Sequence, residues 1–171
     1  RDGSEIVDWI ISQPWSNGKV GAIGASYGGI ASELLLVNKH PAVKAIAPRF
    51  SGFDIYTDLI FPGGIHLKWL TNTWGRLSKA LDDNAPQDFF GWAVKLYVKG
   101  VRPIDTDSDR TMLAEAIRSH QGNFDIRTNL QHITFRDDES PLLPGIHVDD
   151  FSPHAYAEEI KASGAAIYSY S

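Results

Sequence analysis

Gly24-Ala25-Ser26-Tyr27-Gly28 follows directly on the apolar run Val20-Gly21-Ala22-Ile23 and leads into a helical pattern. In that setting the G-x-S-x-G spacing reads as a nucleophile elbow, a sharp turn from strand to helix that lifts a serine hydroxyl out of the backbone path. The turn holds its serine in a strained conformation, so the flanking glycines are expected where a side chain would strike the neighbouring strand or helix. The helix start supplies amide groups where negative charge develops during acyl transfer. Ser26 is the candidate nucleophile, and the backbone N–H of Tyr27 is placed as an oxyanion donor. A phosphate-binding loop, the rival use of such a corner, calls for Gly-Lys-Ser/Thr, and that sequence is not present here.

Outward from the elbow, Ile30, Leu34, Leu35 and Val37 predict a helix ending near Asn38. His40-Pro41 breaks it, and Val43-Lys44-Ala45-Ile46-Ala47 reads as a second buried strand. Upstream, a short helix carrying Ile6, Val7, Trp9 and Ile10 is stopped by Pro14, and Asn17-Gly18 turns the chain into the elbow strand. Strand, helix, strand is the unit of a parallel sheet, which makes the fold class α/β. Beyond an aromatic loop with Phe53, Tyr56 and Phe61, the spacing turns helical, with helices expected near 67–81, 88–99 and 107–119. A short helix over 154–161 and a third core strand at 165–170 close the sequence.

The 171 residues carry a net charge of -5 and 43% hydrophobic content. That suits one globular domain or a core with an insertion, and argues against nucleic acid or an anionic membrane surface as the main partner. With no cysteine in the chain, disulfides, thiolate metal sites and a cysteine nucleophile are excluded, while the compartment stays open.

The run Gln13-Pro14-Trp15-Ser16-Asn17-Gly18-Lys19-Val20-Gly21, continuing to Gly24-Ala25-Ser26-Tyr27-Gly28-Gly29, closely resembles the cocaine-esterase-like and X-prolyl dipeptidyl-peptidase-like serine hydrolases. His40-Pro41, Ala45-Ile46-Ala47-Pro48, Asp54 to Asp58 and Pro62-Gly63-Gly64 extend the likeness, and 149–167 resembles the family's return from cap to sheet. The resemblance implies a partial α/β-hydrolase parallel sheet with an inserted helical cap: core at 1–61, cap at 62–150, and return to the core at 151–171. It further implies hydrolysis of an ester, amide or X-Pro peptide bond through an acyl-enzyme on Ser26. The triad acid and histidine are then expected just after Ser171, and a second oxyanion donor, a tyrosine hydroxyl, before residue 1. The segment alone is expected to be crippled as a catalyst.

By the same resemblance, Asp58, on the loop with Asp54, is a candidate to hold a substrate ammonium; a loop hydrogen bond or helix cap is its other reading. Phe53, Tyr56, Phe61, Trp69 and Trp74 are candidates for an acyl pocket, with Phe53, Tyr56 and Trp69 taken as substrate-binding. The six histidines, His40, His66, His120, His132, His147 and His154, read as surface or structural groups. No His-x-x-x-His spacing occurs, so neither metal nor cofactor is expected. The expected partner is a small ester, amide or short peptide. Two alternatives stand beside hydrolysis. One is a noncatalytic binding or dimerising module that covers open sheet edges with a second copy. The other is haloperoxidase or acyltransferase chemistry, because the acyl acceptor leaves no mark near Ser26.

Overall fold

The computed structural model describes residues 2–91 and 93–170. The chain divides into two compact units, one formed by 1–65 with 146–171 and the other by 66–145.

In the first unit, α1 (Asp2–Ser12), β1 (Val20–Ala25), α2 (Tyr27–Leu35), β2 (Val43–Arg49), α6 (Ala157–Ala162) and β3 (Ala166–Ile167) form an α/β arrangement. The strands make a 3-stranded sheet in the order β1-β2-β3, parallel throughout. Parallel strands need crossover connections, and α2 is the crossover between β1 and β2. A 3-10 turn extends α2 to Asn38, where Lys39 takes a left-handed conformation, φ 51°, that ends it. β3 is shorter than the expected 165–170. It nevertheless stays beside β2 further along, since Tyr168 N–H donates to the Ile46 carbonyl at 3.0 Å and Tyr170 N–H to that of Pro48 at 3.2 Å.

Val7, Leu36, Ala42, Val43, Ile46 and Ile160 are buried together, with Ile11, Val20, Ala22, Leu35 and Val37 packed against them. Apolar side chains from α1, the end of α2, β2 and α6 thus leave water in one cluster, the main favourable term for a unit of this size. Along β1 the burial alternates. The side chain of Ile23, 78% exposed, stands on the face away from that cluster.

The loop after β2 is fastened from the far end of the sequence. Ile55 N–H donates to Ser152 Oγ at 3.0 Å, and His154 N–H to the Phe53 carbonyl at 2.9 Å. Ser152 is fully buried, so its hydroxyl fixes a backbone amide that has no water to turn to.

The second unit is helical, with α3 (Lys68–Asp82), α4 (Thr111–His120) and α5 (Ile126–Leu130). Its described residues contain no strand, only an isolated bridge between Ser140 and Leu143. α3 and α5 approach closely at Gly75, where an added Cβ would stand 2.9 Å from the Arg127 Cβ. The helix expected over 88–99 is absent: 3-10 turns at Pro86–Asp88 and Val94–Leu96 take its place, and Trp92 lies outside the described residues. Gly91 between them weakens helix propagation, and the apolar spacing there has no helical consequence. The helix expected from 107 begins at Thr111 instead. The Asp107 carboxylate accepts from Met112 N–H and Leu113 N–H, each at 2.9 Å, and acts as the start signal rather than as a helical residue.

Candidate active site

Ser26 occupies the corner between β1 and α2 with φ 54° and ψ -122°. A non-glycine residue in that region is strained, and two backbone contacts hold it there. Ser26 N–H donates to the Arg49 carbonyl of β2 at 2.8 Å, and the Ser26 carbonyl accepts from Gly29 N–H at 2.9 Å and Ile30 N–H at 3.1 Å. The side chain makes no capping bond and is exposed, so Oγ is available to a ligand. Tyr27 opens α2, where the first amides of a helix have no carbonyl behind them to accept their hydrogens. Its ring is exposed.

The glycines divide differently from the expectation that both flanking positions are sterically closed. A Cβ on Gly24 would overlap the backbone carbonyl of Gly28, whereas one on Gly28 would meet nothing within 4 Å. The second tight position is Gly29, where a Cβ would sit 3.0 Å from the Ser51 Cβ and 3.1 Å from the Arg49 carbonyl oxygen. The motif spacing points at Gly28, but the sheet touches the helix one residue later.

Glu33, one helical turn beyond Gly29, is 8% exposed. Ser51 Oγ donates to its Oε1 at 3.1 Å, while Oε2 is buried with no hydrogen-bond partner. Burial pushes this carboxyl above its ordinary value of 4.5, and the Ser51 hydrogen bond opposes the shift only in part. Sequence reading passed over it, because a lone glutamate in an amphipathic helix ordinarily faces water.

On the loop after β2, the Asp58 carboxylate accepts from Asp54 N–H at 3.0 Å, and Asp54 accepts from Thr57 N–H at 3.1 Å. Asp58 therefore closes a turn of its own loop. Tyr56 stacks on the buried Phe61 with ring centroids 4.6 Å apart, and Phe53 is exposed. Trp69 belongs to the helical unit, on α3, and is 72% exposed.

His154 Nε2 lies 3.7 Å from carboxylate oxygens of both Asp54 and Asp149. Ligand-type atoms of these three residues fall within 4.8 Å of one another, the one such grouping found among the described residues. The residues come from opposite ends of the sequence, and no local spacing announces them. As it stands the trio is a polar cluster that ties the β2-exit loop to the return segment. His40 is committed to Asp8 at 3.0 Å, His66 to Thr71 at 3.0 Å and His120 to Asp82 at 3.1 Å. Among the described residues, none of the histidines hydrogen-bonds Ser26.

Residues 1–134 match the family described as X-Pro dipeptidyl-peptidase (S15 family). The whole chain aligns at 50% identity with Mb1866c of Mycobacterium bovis and MT1883 of Mycobacterium tuberculosis, both named as serine esterases. It spans about 30% of the length of these curated relatives. A cocaine esterase of Rhodococcus is 36% identical over 64 residues, covering 37% of this chain and 11% of that protein.

Two outcomes are expected from the corner. Gly24→Ala should lower stability by about 3 kcal/mol or more, since backbone has to move to admit the methyl group. Gly28→Ala should be neutral or gain up to about 1 kcal/mol from helix propensity, both read as thermal-denaturation shifts. For Glu33, the folded state binds its proton more tightly than the unfolded chain, so its stabilisation is complete below about pH 4.5 and is lost as pH rises through the folded value. Glu33→Gln should match the parent near pH 4 and exceed it at pH 8 in denaturant unfolding. A difference that stays flat with pH would refute the assignment.

Proposed function

This chain belongs to the X-Pro dipeptidyl-peptidase (S15) family, and on that premise we propose that it is the nucleophile-bearing part of a serine hydrolase cleaving an ester, amide or X-Pro peptide bond. The observation that carries the reading is Ser26 itself: an exposed hydroxyl, free of capping bonds, on a strained strand-to-helix corner at the carboxyl end of a parallel sheet. Ligands of open parallel sheets collect at that end.

In the proposed reaction Ser26 Oγ adds to the acyl carbonyl and loses its proton to a base. The oxyanion is stabilised by the Tyr27 N–H, and collapse expels the alcohol or amine to leave an acyl-enzyme that water hydrolyses. Among the described residues no histidine hydrogen-bonds Ser26, so the reading assigns the base and its acid partner to residues outside this chain. Phe53 and Tyr56, on the β2-exit loop, are the aromatic candidates for substrate contact. The hydrogen bond from Asp54 N–H to the Asp58 carboxylate supports a turn-closing role for that carboxylate over capture of an ammonium.

A fluorophosphonate probe with peptide mapping tests this. In the full natural polypeptide Ser26 should be labelled, and Ser26→Ala should cut ester turnover by a factor on the order of 10⁴ or more. This segment alone should be scarcely labelled. Labelling at another serine, with Ser26 untouched, would defeat the proposal.

A second reading, self-association of this segment, is favoured by the sheet order, which leaves β1 with a strand neighbour on one side only among the described residues. Ile23 stands exposed on that strand. Unpaired edges template further pairing. Light scattering should then find a dimer of the segment that Ile23→Lys dissociates; a monomer at all concentrations counts against it.

A further inference from the structure

Arg49 is the last residue of β2 and lies in register with Ala25, directly before the nucleophile. Its carbonyl is the group that receives the Ser26 N–H. Its guanidinium carbon sits 4.7 Å from the centroid of the Phe50 ring and 5.5 Å from that of Tyr170. Among the described residues no carboxylate pairs with it, although the chain carries 21 acidic side chains against 16 basic ones. Arg118 and Arg127, by contrast, each bind a nearby acid.

The backbone beside it is unusual too. Phe50 adopts φ 47°, in the left-handed region, with its N–H bonded to the Tyr170 carbonyl at 3.2 Å. An aromatic residue there is strained. Stacking of a solvated cation on exposed rings is a weak interaction, and does not by itself account for strain at this place. Held strain next to the candidate nucleophile, with a cation whose direction is set by two rings and whose donors have no carboxylate partner among the described residues, is the pattern of a ligand clamp. The planar fork of one guanidinium fits one carboxylate through two parallel hydrogen bonds.

We infer that Arg49, propped by Phe50 and Tyr170, recognises a carboxylate on the substrate, so that the hydrolase prefers esters or amides bearing an anionic group a few bonds from the scissile carbonyl. The inference rests on the hydrolase reading of Ser26. Arg49 acts here as a specificity determinant and takes no part in bond making.

The test uses the full natural polypeptide and two sets of esters. One set carries the carboxylate on the acyl side, as nitrophenyl hemisuccinate to hemisuberate; the other carries it on the alcohol side, as acetylated hydroxybenzoates. Each is paired with its uncharged methyl-ester twin, and the readout is the ratio of kcat/KM within a pair. At least one charged member should exceed its twin by about tenfold, the difference expected of one charge-assisted contact. Arg49→Gln should bring that ratio to about one, and Arg49→Lys should keep part of it. Ratios near one throughout, or a preference that survives Arg49→Gln, would overturn the inference. A binding measurement separates it from the reaction: calorimetry of monobenzyl glutarate on Ser26→Ala protein should show affinity about tenfold weaker when Arg49→Gln is added. Equal affinity in the two proteins, or none in either, overturns the clamp. Arg49-dependent binding in a polypeptide whose Ser26 resists the fluorophosphonate probe supports the clamp and sinks only the hydrolase reading.

Discussion

One hydrogen bond, from Ser26 N–H to the Arg49 carbonyl, ties the elbow to the neighbouring strand, and the rest of the site depends on it. It holds the serine in a conformation that a free chain would leave, and the lack of side chains at Gly24 and Gly29 lets helix and sheet come this close. Strain of this kind costs about 1–3 kcal/mol and persists only where surrounding structure over-determines it. Here the sheet register, the helix start and the glycine contacts all impose the same backbone path.

That corner also explains why its neighbours are arranged as they are. Ser51, just past β2, lies where a side chain at position 29 would have to go and donates to Glu33, so the β2-exit loop is anchored to α2. The other anchor of the loop is Ser152 with the His154 amide, from the return segment. A loop held at both its start and its middle can place aromatic and charged side chains reproducibly. The buried, half-partnered Glu33 is the least comfortable part of the arrangement, and its raised proton affinity is the physical sign of that.

The α/β class, the elbow, the strand-helix-strand unit and the helical character of the middle of the chain were legible because each is written in local spacing. Val20 to Val37 carries strand, turn and helix signals within one short window, and the structure follows them. The helix over 88–99 failed for the converse reason: apolar residues at suitable intervals do not propagate a helix through Gly91 when no start signal precedes them. Asp107, expected inside a helix, stands before it and accepts from two amides of its first turn. The site divides along the same line. The strained corner at Ser26 and the helix start at Tyr27 could be read from the motif, while the Glu33 and Ser51 pair and the cluster of Asp54, Asp149 and His154 depend on contacts between residues far apart in sequence.

The parallel pairing of β2 with β3 joins Ala45 to Ala166, residues about 120 positions apart, with the entire helical unit threaded between them. Closing so long a loop carries an entropic penalty, and contacts of high sequence separation slow folding. β1, α2 and β2 can assemble as soon as they are synthesised, so the elbow is shaped early. The flank of β2 that pairs with β3 then stays bare until the ribosome has delivered residues 66–145, which leaves that flank open to misassembly and to chaperone capture in a nascent chain.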